Sequence, residues 1–321
     1  MDLAPDDCSH PGVNNSAPCR RVVVTGSSGN VGREVVRALA ARAIDIRAVD
    51  RHPQRVRAIF GQIAEPARLD FHDPTTFPAA VAGCDGLFLL RPPAITNVKA
   101  TLNRLIDVAC DRGVRHIVFL SVAGASKNVL VPHHAVEAHL MKASCGWTIL
   151  RPGFFAQNLG DAYRVDILHD HRIFVPAGSG RTAFVDVRDV AEVAARAFLS
   201  PSRHDQEAYT LTGPEAVSFG EAACLLSEVI GATIRYEPAT LVGYARHLRA
   251  RGLPFGQVLV QTVLHLGLRF GHAARVDPTL ERLLGRPGHS LGDYIRAHAD
   301  TWRPRSLPVQ EDASVLPPCL E

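Results

Sequence analysis

The chain has 321 residues and a formal net charge of +3, from 35 basic and 32 acidic side chains. A composition 46% hydrophobic and 21% charged is that of a folded globular protein and excludes a disordered one. The small net charge argues against a nucleic-acid binder held by electrostatics, and this length suggests one large domain or two small ones.

Residues 1–19 are polar and lack the charged-then-apolar order of a signal peptide, so they read as a disordered tail. The run Arg21–Thr25 is β-branched and apolar, and reads as a buried strand. From Asn30, Val31, Val35 and Leu39 recur every four residues, the spacing of an amphipathic helix. Ile44–Val49 is a second strand, so the chain opens with a βαβ unit and a parallel pair. Asp85–Leu90 is a strand. Val98, Leu102, Leu105, Ile106 and Ala109 mark one helix face closed by Gly113, and Val114–Ser121 is a strand. Ala135–Ser144 is helical, followed by strand Trp147–Leu150. Asp189–Leu199 reads as a helix with Asp189 as N-cap, Ala208–Leu211 as a strand, and Ser218-Phe-Gly-Glu221 as a capping box.

The pattern predicts an α/β protein: a doubly wound, parallel-sheet Rossmann fold with a smaller, mostly helical substrate lobe. The expected sheet domain spans 20–153 and regains 184–213. The lobe takes 154–183 and 214–302, and a flexible tail covers 303–321. No stretch approaches ~18 uninterrupted apolar residues, so no membrane span is expected. Seven widely spaced cysteines, with no Cys-x-x-Cys, suggest reduced thiols in a cytoplasmic protein rather than disulfides or a zinc site.

Thr25-Gly26-Ser27-Ser28-Gly29-Asn30-Val31-Gly32 joins the first strand to the first helix. Glycines there permit a tight turn and close approach of backbone to a diphosphate, which the helix N-terminus then faces. No Gly-Lys-[Ser/Thr] follows, so a nucleoside-triphosphate loop is not indicated. The second strand ends in Asp50-Arg51, where a ribose should be read. The acid suits a free 2′-hydroxyl and the arginine a 2′-phosphate, so this pair alone leaves NADH and NADPH open.

These residues resemble the NmrA-like, atypical branch of the short-chain dehydrogenases/reductases over about residues 20–230. Besides the turn, the resemblance rests on Pro132-His-His-Ala-Val-Glu137, Trp147-Thr-Ile-Leu-Arg-Pro-Gly-Phe-Phe-Ala-Gln-Asn158 and Phe184-Val-Asp-Val-Arg-Asp-Val-Ala191. It implies that Arg51 selects NADPH, with NADH the lesser alternative. It implies that Asp70 and Phe71 hold the adenine and that Leu90, Arg91 and Pro92 lie beside the cofactor. Pro152, Gly153, Phe154 and Phe155 would then run past the nicotinamide.

The superfamily's usual proton donor is Tyr-x-x-x-Lys. The tyrosines are Tyr163, Tyr209, Tyr236, Tyr244 and Tyr294, and none has lysine four residues on. Four residues before Glu137, where atypical members often carry lysine, stands His133, the candidate ribose contact and acid. Ser121 occupies the resemblance's substrate-polarising position. Gln157 and Asn158 are candidate substrate contacts, or loop anchors. Asp166, His169 and His171 read as a solvated loop rather than a metal site, and no metal is expected. The cluster Arg246, Arg249 and Arg251 reads as a solvated helix end.

The expected activity is NADPH-dependent reduction of a bulky aromatic or conjugated small molecule: a ketone, quinone, imine or enone. The missing dyad keeps two alternatives: a catalytically silent NAD(P) sensor of the NmrA type, and a redox-neutral isomerase or cyclase retaining the cofactor. A monomer or homodimer is expected, with no nucleic-acid or membrane partner.

Overall fold

The computed structural model describes residues 17–303. Most of the two expected tails lies outside the described residues. Cys19, assigned to the first tail, is an exception: it is 2% exposed and its amide donates to the Phe198 carbonyl at 2.8 Å.

The first half alternates strands and helices: β1 (Arg21–Val24), α1 (Asn30–Ala40), β2 (Asp45–Asp50), α2 (Pro53–Phe60), β3 (Glu65–Arg68), α3 (Phe77–Val81), β4 (Gly86–Leu90), α4 (Arg104–Asp111), β5 (His116–Leu120), α5 (Pro132–Leu140) and β6 (Gly146–Pro152). After it come α6 (Arg164–Asp170), β7 (Arg172–Val175), β8 (Arg181–Thr182), α7 (Val187–Leu199), α8 (Pro201–His204) and β9 (Glu207–Leu211). The chain ends through β10 (Val217–Ser218), α9 (Phe219–Ile230), β11 (Arg235–Pro238), α10 (Leu241–Ala250), α11 (Phe255–Arg269), α12 (Thr279–Leu284) and α13 (Leu291–Ala297).

Seven strands form a parallel sheet in the order β3-β2-β1-β4-β5-β6-β9. Strand side chains alternate between its two faces, as period-two geometry requires. Val22, Val24, Phe88, Val118 and Leu150 point to one core, against Val35 and Leu39 of α1 and Phe198 of α7. Val23, Leu87, Leu89, Ile117, Phe119 and Ile149 point to the other, against Phe77, Leu105 and Leu140. A third core lies beyond the sheet, built from Phe154, Tyr163, Phe184, Phe219, Leu226, Tyr244, Tyr294 and Trp302.

Several expectations change. Helix α5 starts at Pro132, whose fixed φ and missing N–H suit a first helical turn, and ends at Leu140 rather than Ser144. His133 and Glu137 therefore lie one turn apart on its buried face. The N-cap of α7 is Asp186, whose carboxylate accepts from the Arg188 amide. Asp189 is instead buried in the first turn and accepts from Arg286, His289 Nδ1 and the His289 amide. Lys99–Asn103, expected to be ordinary helix, is a π-helical turn leading into α4. The short elements β3, α2 and α3 carry too few apolar positions to show a period in the sequence.

Cys110 and Cys145 are joined in a disulfide, with Cα atoms 5.6 Å apart, which corrects the all-thiol expectation. Sequence spacing hid it because the end of α4 and the start of β6 meet only in the folded sheet. The solvated-loop reading of Asp166 also fails. It lies within α6, 4% exposed, and accepts from His247 Nε2 at 3.0 Å and Arg251 Nη1 at 3.4 Å. That pairing takes Arg251 out of the expected solvated cluster.

Candidate active site

From β1 the chain moves outward to β2 and β3, then returns to pair β4 on the other side of β1. This reversal opens a crevice at the carboxyl ends of β1 and β4, where parallel α/β sheets take their ligands. The glycine turn forms its floor. Gly26 has φ +62°, a conformation that favours glycine, and a Cβ there would lie 2.4 Å from Leu90 Cδ2. A Cβ on Gly32 would lie 2.2 Å from the Gly26 carbonyl oxygen. The turn and helix thus close on each other with no room for a side chain at Gly26 or Gly32. Thr25 Oγ1 accepts from the Leu90 amide at 3.0 Å and so ties the turn to the end of β4.

No side chain caps α1: Gly29 sits at its N-cap. The amides of Asn30, Val31 and Gly32 are left to face an external acceptor, with the helix dipole behind them. Ser27 donates to the Val49 carbonyl at 3.1 Å and Ser28 to Asp50 Oδ2 at 2.8 Å. A glycine cradle at a switch point, under an uncapped helix N-terminus, fits the diphosphate of a dinucleotide.

Asp50 Oδ1 also accepts from the His52 amide at 2.8 Å, so both its oxygens are engaged. Arg51 is exposed and has no hydrogen-bond or ion-pair partner among the described residues. Asp70 is half-buried and accepts from the His72 amide, while Phe71 is buried edge-on to Phe77. Beyond the sheet, Phe154 turns into the third core beside Phe184 and His265. Phe155 packs toward the first core instead.

A polar chain runs along the carboxyl edge of β4, β5 and β6. Arg91 Nε donates to His133 Nε2 at 3.3 Å. One turn further along α5, Glu137 is 2% exposed and accepts from Ser121 Oγ and from both Nε and Nη2 of Arg151, at 3.0 and 2.7 Å. Ser121 is itself buried, so its proton is directed at Glu137.

The environment of His133 bears on the acid expected there. Burial, helped by the Arg91 charge and opposed by Glu137, lowers its pKa to about 4. The ring is therefore neutral at pH 7. Because Nε2 accepts from Arg91, its proton sits on Nδ1, a buried atom with no protein partner. His134, the neighbour, places Nδ1 at 2.9 Å from the Ala125 carbonyl.

Gln157 lines the cleft on the lobe side, with its side-chain amide engaged at both ends. Its Nε2 donates to Asp186 and its Oε1 accepts from the Val187 amide, at 3.1 and 3.2 Å. The amide of half-buried Asn158 has no side-chain hydrogen bond among the described residues. This cleft, of about 210 Å³, opens between Asn30, Arg33 and Arg188 and the lobe residues Asp161 and Tyr294. Asn30 Nδ2 bridges it by donating to Asp161.

Sequence reasoning missed two relationships. Glu137 and Arg151 both stand in the quoted motifs, but only the sheet shows them as a pair. Tyr163 donates its hydroxyl proton to His265 Nε2 inside the third core, across 102 residues that carry no local signal.

The profile of the NAD(P)H-binding family matches residues 26–201. NAD(P)H azoreductase of Xenophilus azovorans is 31% identical over 284 residues, covering 87% of this chain and 98% of the relative. The (4-alkanoyl-5-oxo-2,5-dihydrofuran-3-yl)methyl phosphate reductase of Streptomyces griseus is 30% identical over 291 residues, covering 88% and 99%. The crystal structure of Citrobacter sp. triphenylmethane reductase complexed with NADP(H) shares the fold. Its TM-score is 0.76 at 23% identity, over 86% of this chain and 99% of that one.

Proposed function

The chain belongs to the NAD(P)H-binding family, as an NmrA-like atypical short-chain dehydrogenase/reductase, and on that premise we propose that it reduces a bulky aromatic or conjugated ketone, quinone, imine or enone. It is an NAD(P)H-dependent oxidoreductase, and its cofactor is NADPH. The observation that carries this reading is the glycine cradle under the uncapped start of α1, at the sheet's switch point. The relatives named as azoreductase and furan-phosphate reductase support an extended, unsaturated acceptor.

Gly26 to Gly32 would hold the diphosphate through backbone amides. Arg51 would take the 2′-phosphate, since its guanidinium is exposed and unpaired among the described residues while Asp50 is engaged by Ser28 and the His52 amide. Asp70 and Phe71 would border the adenine, and Leu90, Pro92 and the Pro152–Phe155 segment the nicotinamide end. When bound, NADPH supplies a hydride at this end of the crevice.

No Tyr-x-x-x-Lys supplies the proton. Ser121 is turned to Glu137, and neutral His133 carries only an Nδ1 proton. The residues therefore serve to hold and orient cofactor and acceptor, and the proton comes from solvent or from the acceptor itself. Placement alone supplies much of the rate for such a transfer. Asn158, with its unengaged amide, is the candidate substrate contact, whereas Gln157 holds α7.

The test is a fluorescence titration with NADPH and then NADH, followed by turnover of ketone, quinone, imine and enone acceptors. NADPH binding well ahead of NADH, with oxidation of NADPH on adding an acceptor, is the expected result. Tight binding with no turnover of any acceptor would move the protein to the sensor class. No binding of either nucleotide would remove the reading altogether.

A further inference from the structure

Arg91 is a half-buried cation with no counter-charge among the described residues. Its Nη1 donates to the carbonyls of Pro92, Pro93 and Ile95, at 3.2, 3.2 and 2.5 Å. Its Nε donates to neutral His133. Every one of these acceptors is uncharged. Other arginines with little exposed surface have carboxylates: Arg47 pairs with Glu65, Arg115 with Asp85 and Arg151 with Glu137. Among the described residues no carboxylate forms an ion pair with Arg91, and burial lowers its pKa.

A guanidinium in that position is stabilised by an anion, which the N–H groups of Nη2 would bind by charge-assisted hydrogen bonds. Nη2 makes no hydrogen bond among the described residues and is not an enclosed atom, so this one nitrogen of the guanidinium remains open. Three carbonyls fix the fork in advance, which limits the ordering cost of binding. A second sign of a missing partner stands alongside. His133 is 8% exposed, and its Nδ1 is a buried polar atom with nothing to bond.

Two anions could meet Arg91: a phosphate of the cofactor or an acidic group on the substrate. The position favours the second. The glycine turn at the end of β1 already offers uncapped helix amides to the diphosphate, and Arg51 at the end of β2 stands free for a further phosphate. Arg91 lies after β4, on the opposite side of β1, linked to the Ser121–Glu137 end of the crevice through His133.

We propose that Arg91, oriented by His133 and the three carbonyls, is a specificity residue that binds a carboxylate, sulfonate or phosphate on the unsaturated acceptor. This rests on the reductase reading above and adds a substrate class to it: acidic, conjugated molecules rather than neutral ones.

The experiment compares 1,4-naphthoquinone-2-sulfonate with unsubstituted 1,4-naphthoquinone in the wild type, Arg91→Met and Arg91→Lys. Three quantities are read: the ratio of kcat/KM for the sulfonate to that for the neutral quinone, the Kd of NADPH by fluorescence, and calorimetric binding of each quinone to the NADP⁺-loaded protein. In the wild type the sulfonate is preferred. Arg91→Met should lower the ratio about tenfold or more, and Arg91→Lys should restore part of it. A ratio that does not move, with NADPH binding weakened, gives the anion to the cofactor and overturns the proposal. An unmoved ratio with unchanged NADPH binding overturns it too. If neither quinone turns over, quinones drop out as acceptors, the reductase reading is judged on the ketone, imine and enone acceptors, and the calorimetric preference for the sulfonate still decides the role of Arg91. Thermal melting of each variant separates a folding defect from a loss of recognition.

Discussion

Arg151 on β6 grips Glu137 on α5 with both arms of its guanidinium, Nε to Oε1 and Nη2 to Oε2, while Ser121 donates to the same carboxylate. The pair lies below the surface at the carboxyl edge of the sheet, with the Glu137 side chain 3% exposed and that of Arg151 14%. Removing one partner leaves the other as a lone charge. Glu137→Ala or Arg151→Met should therefore destabilise by about 3–5 kcal/mol, while the double variant should lose clearly less than the two losses together. Urea unfolding of all three measures this, and simple additivity would show that the pair is not coupled.

Two glycines of the turn make a contrast. A methyl group at Gly32 would lie 2.2 Å from a backbone oxygen, whereas at Gly29 it would lie 3.4 Å from that same atom. Gly32→Ala should cost about 1–3 kcal/mol by overpacking and abolish NADPH binding. Gly29→Ala should leave stability nearly intact. Equal effects of the two substitutions on melting temperature and on NADPH titration would show that the cradle is not closed as described.

Cofactor choice should follow Arg51. Losing a charged contact to the 2′-phosphate would weaken NADPH by about 1.5–3 kcal/mol, roughly tenfold or more, in Arg51→Ala. NADH lacks that phosphate, so its affinity should barely change. A parallel loss for both nucleotides would place Arg51 elsewhere in the recognition.

Three buried histidines set an acid limit. His116, His133 and His265 have pKa values lowered to about 4 from an ordinary 6.5, with burial the largest cause for each. Between these values the unfolded chain binds protons that the folded chain refuses. Stability is thus retained above the upper value and falls as pH drops through the window, by about 1.4 kcal/mol per pH unit for each histidine. Urea midpoints taken from neutral to mildly acidic pH check this, and His116→Gln should flatten the slope. A flat profile would mean that these rings titrate normally.

Much of the chemistry followed from sequence because it is carried by contiguous residues. The turn Thr25–Gly32 declares its backbone needs in its own glycines, and the alternation of apolar runs with helical spacing implies parallel strands joined by crossovers. The absence of Tyr-x-x-x-Lys is a property of the sequence alone. Tertiary structure decided what depends on juxtaposition. Asp50 and Arg51 are equal neighbours in the chain, but only the fold brings Ser28 to Asp50 and leaves Arg51 open. His133 looks like an acid by residue type, yet its charge state is set by burial against Phe119 and by Arg91, 42 positions away. Arg91 itself shows no pattern in the sequence. Its lack of a counter-ion among the described residues exists only in three dimensions, because electrostatic environment is a sum over space and not over sequence.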